Sequence, residues 1–313
     1  MTLKRKTQNV YQDKLTVIEQ VMIFFSVLEI VAPIFFLSLI GFMWVKTGLD
    51  YNVEFVTRLS MTLAVPCLIF VSLMKTDIHI EDIINVSFAT ITIYALITLL
   101  SFIFIKVFSL KTRTYLAPFI FGNTGNIGLP LAFFAFASEG LDYAVVIFAL
   151  MGIYAFTFGI WVVSGGGALK KIIQEPLVGG TILGALFLWQ GWRTPQFLTS
   201  TLELIGQMAI PLMLITLGVT LARLKPNNIL SVSGYAFIKF IICLLSSVIG
   251  AHWFNLDHIP FAIIILQVTA PVAVTSYLIA NKYDADADTV ASLVIISTIF
   301  SIIYIPVILV FLI

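Results

Sequence analysis

Apolar residues run through this chain in blocks about 20 long, separated by short polar connections. A helix that crosses a bilayer needs about 20 apolar residues. Ten such blocks stand out, at 23–45, 53–74, 87–108, 115–137, 143–163, 173–191, 198–221, 233–254, 260–280 and 290–313. The pattern predicts an all-α polytopic membrane protein with ten transmembrane helices and no soluble domain.

One block breaks the pattern. Gly122-Asn123-Thr124-Gly125-Asn126-Ile127-Gly128-Leu129-Pro130 puts three glycines, two asparagines and a proline inside the fourth span. Proline removes a backbone donor and glycine loosens the chain. An unsatisfied backbone group in hydrocarbon costs about several kcal/mol, so a broken span survives only where it lines a cavity. The N–H groups freed at the start of the second half-helix, with its dipole, favour an anion such as a carboxylate. Asn123 and Asn126 lie three residues apart, and their amides both donate and accept. The alternative is a proline kink whose asparagines only satisfy freed backbone. Span nine repeats the theme with Gln267, Thr269, Pro271 and Thr275. The candidate substrate contacts are therefore Asn123, Thr124, Asn126, Gln267 and Thr269. Gly122, Gly125, Gly128, Pro130 and Pro271 would shape the breaks.

The chain also repeats itself. Ala64-Val65-Pro66 in span two matches Ala209-Ile210-Pro211 in span seven, an offset of 145 that carries Thr124-Gly125 onto Thr269-Ala270 and matches Pro271 to Asn126. The expected architecture is two five-helix repeats, 23–163 and 173–313, joined by a short linker at 164–172 and preceded by a polar tail at 1–22. An odd number of spans per repeat makes the second copy inverted, with broken spans four and nine crossing near the midplane.

Composition sharpens this picture. The chain has 313 residues, 60% hydrophobic and 11% charged, and its 17 basic and 16 acidic residues leave a net charge of +1. That balance implies no nucleic-acid partner. The apolar run after the basic tail is too long for a signal peptide, and starts of translation at Met1 or Met22 both fit it. Cys67 and Cys243 lie in apolar spans and read as packing residues. Basic residues set orientation. Lys46, Arg58, Lys106, Lys111, Arg113, Lys170, Lys171, Arg223, Lys225 and Lys282 fall on one side, and only Lys75 and Arg193 on the other. The first side is expected in the cytoplasm, with both termini outside, although the basic tail argues the reverse.

Pro66 and Pro211 read as kinks in scaffold helices, and Gly179, Gly180 and Gly184 as close helix packing. No Asp or Glu lies near the centre of a predicted span. Lys239, about two turns into span eight, is expected to snorkel outward. His79, His252 and His258 are isolated, and Asp284, Asp286 and Asp288 lack the glycine and distal glutamate of a calcium loop. No metal, cofactor or catalytic constellation is expected.

These pieces together resemble the auxin efflux carrier family, which includes plant PIN-type carriers and bacterial malate and malonate permeases. The matching residues are Ala64-Val65-Pro66, the 122–130 motif, Pro211 with Leu217-Gly218, Ala270-Pro271, Tyr283, Ser297-Thr298, Ser301 and Pro306. The resemblance implies a fold similar to bile-acid/sodium symporters. It implies a scaffold of spans 1, 2, 6 and 7 and a transport domain of spans 3–5 and 8–10. Within the transport domain, spans four and nine would cross at Pro130, or the break just before it, and at Pro271. It also implies a cell-membrane permease for small organic anions, with a homodimer through the scaffold helices. The long cytoplasmic loop of plant carriers is missing. Two rivals are a sodium- or proton-coupled symporter of the same fold and a non-transporting membrane receptor or enzyme.

Overall fold

The computed structural model describes residues 25–166, 176–224 and 229–313. The tail at 1–22, most of the 164–172 linker and Lys170, Lys171 and Lys225 lie outside the described residues. All regular elements in the described part are helical. They are α1 (Phe25–Lys46), α2 (Val53–Lys75), α3 (Ile80–Val107), α4 (Thr112–Ile120) and α5 (Thr124–Ser164), then α6 (Pro176–Gln190), α7 (Gln196–Arg223), α8 (Ile229–Trp253), α9 (His258–Thr269), α10 (Val274–Lys282) and α11 (Ala287–Leu312). Seven of these (α1, α2, α3, α5, α7, α8 and α11) are long and apolar enough to cross a membrane. The α6 and α9 helices are apolar but shorter. Large apolar side chains such as Phe36, Phe88, Ile182 and Phe311 project outward from several of these helices. That outer surface suits lipid rather than water.

The 41-residue run of α5 is not one rod. It bends at Phe136 and Ala137, where Ala137 takes φ 51° and ψ −141°. Its far end stops at Gly165, whose φ of +77° lets the N–H of Gly166 reach back to the Trp161 carbonyl at 3.1 Å.

The helices pack as two groups that meet where α2, α6 and α7 touch α5. The α2 helix lies chiefly against α6 and α7. Glycines make this contact close: a Cβ on Gly180 would stand 2.8 Å from the Pro66 carbonyl oxygen, and one on Gly206 would stand 3.1 Å from Leu68. Gly184 faces Leu73 in the same way, whereas Gly179 meets nothing within 4 Å. The α1 helix meets α7 through Gly41 against Ile215 and Gly218 against Ser38. The second group packs α3, α4, α8, α9 and α11 against one another and against α5.

Prolines shape α2 and α5 in the same way. Each carries a wide π-turn, at Ser60–Ala64 and at Thr124–Gly128, and a proline sits two residues after it, Pro66 and Pro130. Proline cannot donate to the carbonyl one turn back, and its ring would strike that carbonyl in a regular helix. The wider turn moves the carbonyl aside, and such bulges mark functional sites often. Pro130 therefore does not break its helix. The break lies just before the motif's π-turn, at Phe121–Asn123.

Candidate functional site

Two chain breaks meet in the second group of helices. The first separates α4 from α5 and the second separates α9 from α10. They cross antiparallel, with Gly122 bridged to Val272. The N–H of Asn123 donates to the Pro271 carbonyl at 2.6 Å, and the N–H of Ala273 donates to the Phe121 carbonyl at 3.1 Å. A local two-fold relates the two bonds: each donor and each acceptor has its counterpart 150 positions away, Asn123 with Ala273 and Phe121 with Pro271. This register corrects the offset of 145 at the crossing, so Pro271 pairs with Phe121 and not with Asn126. The chain is five residues longer between Pro211 and the second break than between Pro66 and the first. Gly122 permits the approach, since a Cβ there would lie 3.0 Å from the Ala270 carbonyl oxygen.

The groups freed at the second break are satisfied by side chains from other helices. Lys239 of α8 is 1% exposed, and its Nζ donates to the Ala270 carbonyl. This overturns the expectation that Lys239 snorkels outward. This bond satisfies a carbonyl that the end of the α9 helix leaves without a main-chain partner. Tyr304 of α11, stacked on Phe240 at 4.3 Å, donates to the Thr269 carbonyl at 2.8 Å. Ser297 accepts the Val272 N–H at 2.9 Å. At the first break the Cys243 thiol reaches the Phe119 carbonyl at 3.8 Å, so Cys243 does more than pack.

A cavity of about 80 Å³ opens beside the crossing. Gly122, Asn123, Gly125 and Asn126 line it from the first break, and Ala273, Val274 and Thr275 from the second. Both half-helices that follow the breaks begin there, α5 at Thr124 and α10 at Val274. Their first N–H groups have no partner within the helix, and both positive dipole ends point to one place. The Nδ2 of Asn123 is buried without a partner. Among the described residues no charged side chain lines this cavity.

The other expected contacts stand elsewhere. Thr269 Oγ1 donates to the Ile265 carbonyl of its own helix at 2.7 Å. Gln267 turns away from the cavity and packs into the notch at Gly128, where an added Cβ would lie 2.3 Å from its Oε1. That Oε1 and the Thr124 hydroxyl are buried and unpartnered. Sequence reasoning missed the opposite wall, formed by Thr57, Ser60 and Met61 of α2 and Met213, Thr216 and Thr220 of α7. The spacing of Pro66 after Ser60, repeated by Pro130 after Thr124, was the available signal.

A larger cavity, about 790 Å³, lies where α2 ends and α3 begins. Its walls carry Asp77, Asp82, Glu139, Asp142 and Glu203 against Lys75. Lys75 pairs with Glu203 at 2.6 Å, and Ser72 donates to Asp142. An acidic lining of this kind disfavours a bound anion. The small cavity has the donors.

The profile of the membrane transport protein family matches residues 26–169 and 160–309. The chain belongs to this auxin-efflux-carrier-like family, as a multi-span membrane protein of the transporter class. It is 25% identical over 298 residues to an uncharacterized transporter of Methanothermobacter thermautotrophicus, covering 91% of this chain and 98% of that one. It is 22% identical over 303 residues to an uncharacterized transporter of Methanocaldococcus jannaschii, covering 89% and 96%.

Proposed function

We propose that the protein is a permease for small organic anions, mono- or dicarboxylates, that works by alternating access with its site at the crossing. One observation carries this reading: two half-helix N-termini and the unpartnered Asn123 amide face one cavity that no acidic side chain among the described residues lines. Preorganised N–H donors in a low-dielectric site favour a carboxylate. The buried Lys239 amino group behind the crossing holds the Ala270 carbonyl and so fixes the second break.

The same reading takes α4 with the first limb of α5 as one broken span and α9 with α10 as another. It counts ten spans in two inverted repeats, with the scaffold formed by α1, α2, α6 and α7. The loops holding Lys46, Lys106, Lys111 and Lys282 would face the cytoplasm of a cell membrane, and both termini the outside.

A monoanion would then move with its charge. A potential of about 100 mV, inside negative, is worth about 2.3 kcal/mol per charge and favours export roughly 50-fold. The test is malonate and malate flux in proteoliposomes under a potassium-diffusion potential set by valinomycin. Flux that follows the potential supports uncoupled transport. Flux that ignores the potential and follows pH, or that requires sodium, selects the coupled symporter. No flux of either anion contradicts the reading.

A further inference from the structure

The wall of the crossing cavity that faces Asn123 belongs to the other group of helices, and Ser60 sits in it. Ser60 is the first residue of the α2 π-turn, 2% exposed, and its hydroxyl has no partner. A buried serine or threonine in a helix ordinarily bonds back to the carbonyl one turn earlier. Thr90 does so, as do the half-buried Ser87 and Thr98. The hydroxyls of Ser38, Ser60, Ser101 and Ser246 do not, and of these four only Ser60 lines the crossing cavity. Its hydroxyl is left free in a wall lined by Thr57, Thr216 and Thr220, across from an equally unpartnered amide.

We infer that Ser60 is a substrate-binding residue supplied by the scaffold, donating to one carboxylate oxygen while Asn123 donates from the crossing. The inference rests on the transport reading above. It adds an asymmetry that the reading alone does not contain. The cavity runs from the crossing towards Val53 at the start of α2 and Thr220 near the end of α7. That is the face bearing the α1–α2 loop. If the crossing moves against the scaffold during transport, Ser60 stays with the scaffold and touches the anion only while the site communicates with that face. Removing its hydroxyl therefore weakens binding from one side of the membrane and not from the other.

The experiment uses the full chain in proteoliposomes of fixed orientation, with malonate and malate as probes and initial rates measured from each face. Ser60→Ala should raise the half-saturating concentration about tenfold from the face bearing the α1–α2 loop and leave the opposite face within about two-fold. Ser60→Thr keeps a hydroxyl and should restore the wild-type value within a few-fold. An unchanged thermal midpoint in detergent separates lost contact from lost fold. Equal shifts from both faces, or none from either, overturn the inference while wild-type flux keeps the transport reading intact. Absent wild-type flux from both faces removes the transport reading itself, and the role of Ser60 falls with it.

Discussion

The N–H of Asn123 donates to the carbonyl of Pro271 at 2.6 Å, and this bond joins two breaks that lie far apart in the chain. Proline has no N–H of its own to offer, but its carbonyl is free because the helix before it ends at Thr269. Asn123 thus uses its main chain to hold the crossing and keeps its side-chain amide for the cavity. A residue of another type could make the first contact, but only an amide or a comparable donor could make the second.

The notch between Gly128 and Gln267 gives a first test. Gly128→Ala places a methyl on the buried Gln267 side chain, with a 2.3 Å approach to Oε1. Overpacking of this kind costs about 1–3 kcal/mol. Gln267→Ala should relieve most of that loss in the double variant. Thermal unfolding of the two single variants and the double one checks the coupling, and additive losses would disprove the contact.

Lys239 separates function from stability. Lys239→Met leaves the Ala270 carbonyl unpaired, at about 1–3 kcal/mol. It also removes a fully buried amino group, which is costly to take out of water. No carboxylate among the described residues pairs with Lys239. The expected outcome is a thermal midpoint equal to or above the wild type, with malonate half-saturation raised at least about tenfold. Wild-type transport by Lys239→Met would remove Lys239 from the account.

Ala137 holds a backbone conformation that suits glycine, at φ 51° and ψ −141° in the bend of α5. Such strain costs about 1–3 kcal/mol, and glycine gives back about 0.4–1 kcal/mol through the unfolded chain. Ala137→Gly should therefore raise the unfolding midpoint by a few degrees, and Ala137→Val should lower it. Tryptophan fluorescence during heating in detergent measures both.

Orientation is open to a labelling test. Lys111, in the loop before α4, and Gln196, the first residue of α7, are both exposed on opposite sides of the proposed span order. A cysteine at Lys111 should resist an impermeant thiol reagent in intact cells, and one at Gln196 should react. The reverse result would turn the whole chain over.

How far the sequence reached depended on the kind of signal. Gly122, Asn123 and Pro271 were visible because such residues conflict with an apolar span, and the structure puts all three at the crossing. The short α4 and α10 also follow from the broken spans, whereas 115–137 and 143–163, read as two spans, form one bent helix from Thr124 to Ser164. The register of the crossing did not, because unequal connections hide inside a repeat of apolar blocks. Lys239 was misplaced because its reach along α8 depends on which side of the helix meets the break. Ser60 looked ordinary, since a serine in an apolar helix usually bonds its own backbone. Gln267 looked like a ligand by its type alone, and packing against Gly128 explains it as well.

The central claim is that a small carboxylate occupies the crossing cavity. The most direct measurement is protection of Thr57→Cys from alkylation, in a protein with Cys67→Ser and Cys243→Ala that still carries malonate. Thr57 lines the cavity from α2, is partly exposed and lies away from the crossing. The account expects malonate or malate to slow alkylation in a saturable way, with the same half-effect as in transport, while chloride at equal ionic strength does not. Alkylation that proceeds at one rate with and without an anion that the protein carries would contradict it.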